Sequence, residues 1–324
     1  MKNILIESEI IADIVSSRYT IGKLTNCQLI REGFNHNYLV ETNEKKYVLR
    51  VYMTDKYYVR DADDFRFELA LLNYLLDQGL SVAQPVTNNE GEWLTTQQLV
   101  DKSRHMALFH FAPGVELDKA GERGDLEPND IWTLGQLTAR LHQAMDGFQS
   151  RYHRYHLNCS TYLLDKSLEI LETHLAKRNM GNVSFFYPYA EKIRHQVSML
   201  PQVTPAYGLI HADLHGNNIF FDAEVGLTLI DFDHCAYGWR AYDIAPGITN
   251  SDLSDMLLAG YESVRAFSNL EKELMSTFTH LRDIWDIGDI LYYKPLWGQT
   301  PSDEELEKSV ARLHNLMKQG IDSN

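Results

Sequence analysis

A polar loop between short apolar runs is the feature that most restricts how this chain can fold. The apolar run 207–210 leads into the segment 211–218 (HADLHGNN), and the apolar run 219–221 leads out of it. A further apolar run, 227–230, ends at Asp231. Short apolar runs bounded by turn residues predict strands. We therefore expect acidic and amide side chains to gather at the mouth of a small strand pair.

Three side chains in this region have the chemistry that phosphoryl transfer requires. Such a transfer needs a carboxylate facing the acceptor hydroxyl and oxygen ligands that hold magnesium on the nucleotide phosphates. Asp213 fits the first role, and Asn218 and Asp231 fit the second. The spacings, five residues from Asp213 to Asn218 and thirteen from Asn218 to Asp231, follow the kinase pattern. The same spacing selects Asn218 over its neighbour Asn217.

This pattern resembles the aminoglycoside phosphotransferase and choline kinase family, within the protein-kinase-like fold. Strand patterns early in the chain and helical patterns later agree with that architecture. We therefore expect an α+β, bilobal protein-kinase-like fold. Residues 1–111 would form a nucleotide-binding N-terminal lobe, with a small antiparallel β-sheet and one main helix. Residues 112–324 would form a larger, mostly helical lobe for catalysis and acceptor binding.

Hydrophobic periodicity predicts the elements of each lobe. In 65–78 leucines recur at helical spacing and Gly79 follows as a stop signal, so this segment is the expected main helix of the first lobe. The hinge between the lobes is expected near 109–113. The other predicted elements are a helix over 4–16, strands over 28–30, 38–42, 47–52 and 106–111, and helices over 131–142, near 160–178 and 188–199, and from about 251 onward.

The resemblance implies a nucleotide site in the first lobe. Arg50 stands where kinases place the lysine of the third strand, and a guanidinium can bridge nucleotide phosphates and the helix carboxylate Glu68. The family commonly replaces the glycine-rich loop by a short polar loop ending in asparagine, here Asn37. The alternatives are a plain surface pair for Arg50 and Glu68 and a plain turn before Asn37.

Adenine recognition is expected at the hinge. In the resembled family, main-chain groups there bind adenine, which assigns this role to His110 and Ala112. ATP is the expected phosphoryl donor, with GTP as the alternative, and Mg²⁺ is the expected cofactor. His215 follows Asp213 by two residues, where protein kinases have a lysine, and it is expected near the transferred phosphate.

Residues around the catalytic groups are expected to organise the loop. His211 and Asp243 are interpreted as bracing residues, because the resembled family uses the matching positions in this way. Ala212 replaces the arginine with which regulated protein kinases bind a phosphorylated activation loop, so no such activation is expected. Asp233 occupies the glycine position of the D-F-G pattern. It either joins a second metal or pairs with a nearby arginine or lysine.

A late acidic and aromatic helix is the candidate acceptor site. Asp286 and Asp289, three residues apart, share a helix face with Asp283, and Trp285 is close by. Carboxylates beside aromatic faces suit an ammonium group through charge and cation–π attraction. In the resembled family this helix borders the acceptor pocket. The alternative is a solvated acidic stripe whose aromatic residues turn into the core.

The formal net charge of −15 restricts the partners. Most of the acidic excess falls in residues 113–324, where the acceptor would bind. Nucleic acid and anionic membrane both need a basic patch, so neither is expected as a partner. The sequence has no apolar stretch long enough to span a membrane. It has no C-x-x-C pair, which argues against a disulfide framework or a zinc site. Glutamates near the N-terminus interrupt the apolar run that a signal peptide would need. A cytoplasmic protein is therefore expected.

Together these features predict an ATP-dependent small-molecule kinase. It would transfer the γ-phosphoryl group to a hydroxyl of a cationic compound, such as an aminoglycoside or an amino alcohol. The alternatives within the same family are a homoserine or sugar kinase and a protein Ser/Thr kinase. A nucleotide-binding pseudokinase scaffold is the alternative of another class, which the intact Asp213, Asn218 and Asp231 oppose.

Overall fold

The N-terminal third of the chain builds an antiparallel sheet. The computed structural model describes residues 5–99, 102–245 and 251–322. The strands of the sheet are β1 (Leu24–Arg31), β2 (His36–Thr42), β3 (Lys46–Val51), β4 (Pro85–Val86), β5 (Thr95–Gln98) and β6 (Ser103–His110). They pair in the order β1-β2-β3-β6-β4, with β5 also on β6. Every pair is antiparallel.

Two helices, α1 (Ser8–Arg18) and α2 (Ala62–Asp77), cover opposite faces of this sheet. Alternate residues of a strand point to opposite faces, and β6 follows this rule. Its Leu108 packs in the same apolar cluster as α1, whereas Phe109 packs in the cluster that contains α2. The face covered by α2 therefore belongs to the main core of the molecule.

The remainder of the chain is mostly helical. Its helices are α3 (Leu117–Arg123), α4 (Pro128–Met145), α5 (Asp165–Ala176), α6 (Tyr187–Ser198), α7 (Arg240–Ile244), α8 (Ser251–Glu262), α9 (Asn269–Glu273), α10 (Met275–Tyr293) and α11 (Asp303–Asp322). Helix α10 packs on both α5 and α11. Across the described ranges, no helix combines the length and apolar character needed to cross a membrane.

Two small ladders within the helical part support the polar loop. Their strands are β7 (Val115–Glu116), β8 (Tyr207–Ile210), β9 (Ile219–Asp222), β10 (Gly226–Leu229) and β11 (Ala236–Trp239). β9 pairs with β7 and β10, and β8 pairs with β11. Because β8 ends where the loop begins and β9 starts where it ends, the loop is fixed at both ends. The β9–β10 pair then brings Asp231 beside the loop.

The predicted bilobal α+β fold is confirmed, with some boundaries shifted. The opening helix is α1, and residue 4 of the expected segment 4–16 lies outside the described residues. The main helix of the first lobe begins at Ala62 rather than at residue 65. A π-helical turn over Cys159–Leu163 precedes α5 where one helix was expected. The division between residues 111 and 112 remains a prediction.

Candidate active site

Asp213 and Asn218 form a hydrogen-bonded pair at the mouth of the β8–β9 loop. Asn218 Nδ2 donates to Asp213 Oδ2 at 3.0 Å and to the Asp213 carbonyl at 2.9 Å. The side chain of Asn218 is almost completely buried. Its Oδ1 has no hydrogen-bond partner among the described residues. A buried amide oxygen without a partner is unusual and points to a ligand that is bound in function.

The backbone of this loop is held in an uncommon conformation. Ala212 has φ +66°, in the left-handed region that residues other than glycine rarely adopt. Asp243 accepts the N–H of Ala212 and that of His211, each at 2.7 Å. His211 Nε2 lies 2.9 Å from the carbonyl of Ile230. His211 and Asp243 therefore brace the loop, as predicted.

Asp231 lies beside the pair of Arg50 and Glu68. Arg50 Nη1 donates to Glu68 Oε1 at 3.0 Å, and its Nη2 lies 3.0 Å from Asp231 Oδ1. All three groups are largely withdrawn from solvent, so the surface-pair alternative is wrong. Burial raises the pKa of Glu68 to about 7, although the charge of Arg50 opposes it. Burial likewise raises the pKa of Asp231 against Arg50.

The carboxylate of Asp233 contacts an asparagine and a lysine. Its Oδ2 accepts a hydrogen bond from Asn35 Nδ2 at 2.5 Å and forms a buried ion pair with Lys56. Burial opposes its ionisation, but Lys56, His234 and Arg50 hold the pKa of the Asp233 carboxyl well below its usual range. Pairing with a lysine is therefore the observed alternative.

A cavity of ≈ 480 Å³ lies between the sheet and the β9–β10 ladder, and we call it the nucleotide cavity because most of the predicted nucleotide residues line it. The lining includes Arg50, Asn37, His110 and Ala112. Glu68 does not line the cavity but accepts a hydrogen bond from Arg50, which does. The N–H of His110 already donates to the carbonyl of Gln84 at 2.9 Å. In the predicted recognition of adenine, His110 would therefore offer its carbonyl group rather than its N–H.

The prediction that Asn37 ends the polar loop is wrong. Residue 37 lies within β2, because that strand already begins at His36, which pairs with Val51 of β3. The Asn37 side chain instead accepts from Arg50 Nε at 3.5 Å. Asn37 therefore orients the arginine from inside the strand and still lines the nucleotide cavity.

A second cavity, of ≈ 320 Å³, is lined by Asp213 together with Asp286 and Asp289 of α10, and we call it the acceptor cavity. It shares Asp231, Asn37 and Arg31 with the nucleotide cavity, so the two meet at one of the predicted metal ligands, Asp231. His215 lines the acceptor cavity and not the nucleotide cavity, with Nε2 3.6 Å from Asp213 Oδ2. The aromatic side chains that line the acceptor cavity are those of Phe34, His215, His234, Trp285 and Trp297.

The three carboxylates of α10 have different environments. Asp283 pairs with Arg312 of α11 and does not line the acceptor cavity. Asp286 lines it, but its Oδ1 lies 3.3 Å from Arg282 Nε and its Oδ2 lies 3.7 Å from Arg312 Nη2. Only Asp289 combines deep burial with a cavity position. Asp283 does lie beside Asp286, since Arg312 Nη2 contacts both, but it takes no part in the acceptor cavity.

The carboxylate of Asp289 is buried, and one of its oxygens lacks a hydrogen-bond donor among the described residues. It is 3% exposed, and its Oδ1 accepts no hydrogen bond from the part of the chain that the structure describes. Burial raises the pKa of Asp289 well above its usual range, only partly offset by the charge of Lys56. Trp285, one turn earlier, is buried and donates its Nε1–H to Tyr57 at 2.8 Å. The alternative of a solvated acidic stripe is therefore wrong for Asp289, although Trp285 does pack in the main core as that alternative expects.

Three residues that shape the site were not found by sequence reasoning. Asn35 and Lys56 are 198 and 177 residues from Asp233, so local spacing could not pair them with it. Arg282, which pairs with Asp213, stands in the candidate acceptor helix as its one cation. A single arginine among closely spaced carboxylates was the available signal.

Comparison with known proteins agrees with this geometry. The model of the family described as "Phosphotransferase enzyme family" matches residues 26–271. An uncharacterized protein of Synechocystis sp. is 31% identical over 283 residues, which cover 85% of this chain and 75% of that protein. A homoserine kinase of Xanthobacter autotrophicus is 32% identical over 272 residues, which cover 79% and 77%.

A solved structure shows the same fold. The microcompartment-associated aminopropanol kinase superimposes with a TM-score of 0.75 at 23% identity. The match covers 95% of each chain, so both lobes have counterparts.

Proposed function

The chain belongs to the phosphotransferase enzyme family and is a kinase for a hydroxyl acceptor, and from that premise we propose that it phosphorylates a small amino alcohol with ATP. The observation that carries the proposal is the position of Asp289, a buried carboxylate whose Oδ1 has no donor among the described residues, in the same cavity as Asp213. In an acceptor that carries both an ammonium group and a hydroxyl, the ammonium would pair with Asp289 and the hydroxyl would face Asp213.

The reaction proposed for Asp213 follows from its position in the lining of the acceptor cavity, which meets the nucleotide cavity at Asp231. The acceptor hydroxyl would donate its proton to the Asp213 carboxylate as its oxygen attacks the γ-phosphorus of ATP. Positioning and charge stabilisation supply most of the catalysis in such transfers. Arg50 faces the nucleotide cavity and would bind phosphate oxygens while Glu68 fixes its direction.

The residues present fit a magnesium ion. Magnesium prefers oxygen ligands and usually binds one or two protein groups together with substrate phosphates. The partnerless Oδ1 of Asn218 and the carboxylate of Asp231 are such groups, so we assign them as the ligands. When bound, the ion would neutralise charge on the phosphates. Asp233 is committed to Lys56 and Asn35 and is not assigned as a ligand.

Charge supports an ammonium group on the acceptor. A buried charge is costly unless it is paired. An ammonium group at Asp289 would remove this cost, and the neighbouring face of Trp285 would add cation–π attraction. Arg282 and Arg312 neutralise Asp286, so we no longer assign Asp286 as a direct acceptor ligand.

Cavity size favours a small acceptor. At ≈ 320 Å³ the acceptor cavity lies near the lower end of the range of about 300–1,000 Å³ that ligand cavities occupy. An amino alcohol of a few carbon atoms fits this volume more readily than the several rings of an aminoglycoside. The amino alcohol therefore takes precedence over the aminoglycoside.

Homoserine is the second candidate, because it is an amino alcohol that also carries a carboxylate. Arg31 lines the acceptor cavity and is exposed at its edge, where a cation could bind that carboxylate. The relative of Xanthobacter autotrophicus named homoserine kinase supports this choice. The two candidates share the ammonium site and differ only in their need for Arg31.

Coupled measurement of ADP release tests the proposal. The acceptors are 1-amino-2-propanol, L-homoserine, kanamycin, glucose and a Ser/Thr peptide, with Asp213→Asn as the inactive control. We expect turnover with one of the first two, and loss of about tenfold or more in kcat/KM on Asp289→Asn because a buried charge pair is broken. Preference for glucose or the peptide, undiminished by Asp289→Asn, would exclude an ammonium acceptor. Nucleotide binding without turnover of any acceptor would favour a scaffold.

A further inference from the structure

Arg282 of α10 contacts the catalytic loop directly. Its Nη2 forms an ion pair with Asp213 Oδ1, and its Nη1 donates to the carbonyl of Ala212 at 3.1 Å. Its side chain is only 13% exposed. The guanidinium therefore binds both the carboxylate expected to receive the acceptor's proton and the strained residue before it.

These contacts leave the two oxygens of Asp213 in different environments. Oδ1 is occupied by Arg282, while Oδ2 accepts from Asn218 at 3.0 Å and lies 3.6 Å from His215 Nε2. A carboxylate oxygen offers two lone-pair directions. Each oxygen therefore retains one lone pair. That of Oδ1 lies beside the cationic guanidinium of Arg282, which lowers its affinity for a proton, whereas Oδ2 accepts from the neutral amide of Asn218 and is the better proton acceptor for a hydroxyl in the acceptor cavity.

Arg282 is itself held in place. Asp286 lies 3.3 Å from its Nε, and its guanidinium carbon lies 5.3 Å from the centre of the Trp285 ring. Arg312 of α11 lies 3.7 Å from the other oxygen of Asp286. A chain of ion pairs thus runs from α11 through α10 to the catalytic loop. The planar guanidinium suits this set of contacts, since it offers five donors in a fixed geometry.

We propose that Arg282 is a positioning residue for phosphoryl transfer, which fixes the rotation of Asp213 so that Oδ2 faces the acceptor hydroxyl. The proposal rests on the proposed function, in which Asp213 receives the acceptor's proton. In that step the acceptor oxygen bonds to the γ-phosphorus, the bond from this phosphorus to the β–γ bridging oxygen breaks, and ADP leaves with that electron pair. The hydroxyl proton passes to Asp213 Oδ2. Arg282 forms no bond to substrate and acts through Asp213.

Steady-state kinetics of Arg282→Gln and Arg282→Lys test this role. The acceptor is 1-amino-2-propanol or L-homoserine, whichever the wild-type protein phosphorylates faster. We expect Arg282→Gln to lower kcat about 100-fold, the cost of a misplacement of roughly 1 Å in an active site. The KM for ATP should change less than about threefold, because Arg282 does not line the nucleotide cavity. Arg282→Lys should recover part of kcat, since an ammonium keeps the charge but not all the contacts.

Arg66→Gln is the matched control, because it removes an exposed arginine–aspartate pair, that of Arg66 with Asp63, which lies outside both cavities. Its kcat should stay within about threefold of wild type. A wild-type kcat in Arg282→Gln, or an equal loss in Arg66→Gln, would overturn the proposal. Should Arg282→Gln fail to fold, Arg282→Lys decides: a kcat at least about threefold lower at unchanged KM for ATP supports the role, and a wild-type kcat overturns it.

Asp213→Asn separates this proposal from the proposed function. If Asp213→Asn keeps its turnover, the assignment of Asp213 is wrong and both proposals fail. If Asp213→Asn loses turnover while Arg282→Gln keeps it, only the role of Arg282 fails.

Discussion

The charge of Asp289 in the acceptor cavity lowers the stability of the folded protein, and in our proposal the same charge binds the acceptor. Burial raises the pKa of Asp289 well above its usual range, so the folded state favours the protonated carboxyl. The stability that this protonation supplies is fully present below the ordinary pKa of about 3.9 and is lost as pH rises through the raised pKa. At neutral pH, Asp289 therefore destabilises the protein without its ligand.

Asp289→Asn should accordingly have opposite effects on stability and on catalysis. At pH 8 we expect the free energy of unfolding to rise by about 1–3 kcal/mol relative to wild type, because asparagine keeps the shape of the side chain but removes the charge that burial disfavours. The gain should shrink towards pH 4. Urea unfolding at both pH values measures it, with Asp283→Asn as the control on the same helix, since Asp283 lies outside the cavity. A loss of stability at pH 8 would contradict the prediction.

Arg50 is the cation on which two buried carboxylates depend. It lies 3.0 Å from Glu68 Oε1 and 3.0 Å from Asp231 Oδ1. Removing one partner of a buried ion pair costs roughly 3–5 kcal/mol, because the remaining charge is left without a partner. Arg50→Met should therefore lower the free energy of unfolding by about that amount at pH 8, measured by urea unfolding.

The control for Arg50→Met is Arg18→Met, which removes the exposed ion pair of Arg18 with Glu90. Exposed pairs contribute little to stability. An equal loss of stability in both variants would show that burial does not matter at Arg50.

At the scale of elements, the close contact of α4 and α8 supports the catalytic loop. A Cβ on Gly135 of α4 would lie 2.0 Å from the carbonyl oxygen of Leu257, and a Cβ on Gly260 of α8 would lie 2.0 Å from that of Trp132. The two backbones therefore touch at glycines. Helical periodicity predicts α4, but the need for glycine at residue 135 follows only from the partner helix.

Gly260→Ala should force these helices apart. We expect a loss of about 1–3 kcal/mol in the free energy of unfolding, the usual cost of overpacking. Since His142 of α4 contacts both Tyr261 of α8 and Asp243, kcat should fall as well. Thermal unfolding and steady-state kinetics measure the two effects. Gln143→Ala, at an exposed position on α4, serves as the control and should change neither. Unchanged stability in Gly260→Ala would mean that the helices accommodate the methyl group.

At the scale of the whole molecule, the two lobes share one core. Phe67 of α2 and Leu141 of α4 belong to the same apolar cluster, although the predicted lobe boundary separates them. Arg154 donates to the carbonyl of Asp64 at 2.9 Å and also binds the carbonyl of Asp233. The first lobe therefore completes the packing of the second.

We predict that the full chain unfolds in a single transition and that a fragment of residues 112–324 does not fold alone. The fragment would expose the apolar surface that α2 covers. Urea unfolding followed by circular dichroism in the near and far ultraviolet measures both. Two separated transitions, or a cooperatively folded fragment, would show that the lobes are independent units.

The sequence alone determined the parts of this protein that depend on local order. Asp213, Asn218 and Asp231 were identified by spacing along a loop and two short strands, and the fold class followed from strand patterns that precede helical ones. Periodicity and turn residues act over a few residues, so a sequence shows them directly.

Only the tertiary structure decided which charges meet. The pairing of Asp233 with Lys56 spans 177 residues, and that of Asp213 with Arg282 spans 69. The sequence showed three similar carboxylates in α10, but arginines pair with Asp283 and Asp286, whereas Asp289 is in the cavity without an arginine partner among the described residues. The physical reason is that burial and nearby charge set the properties of an ionisable group, and both are supplied by distant parts of the chain.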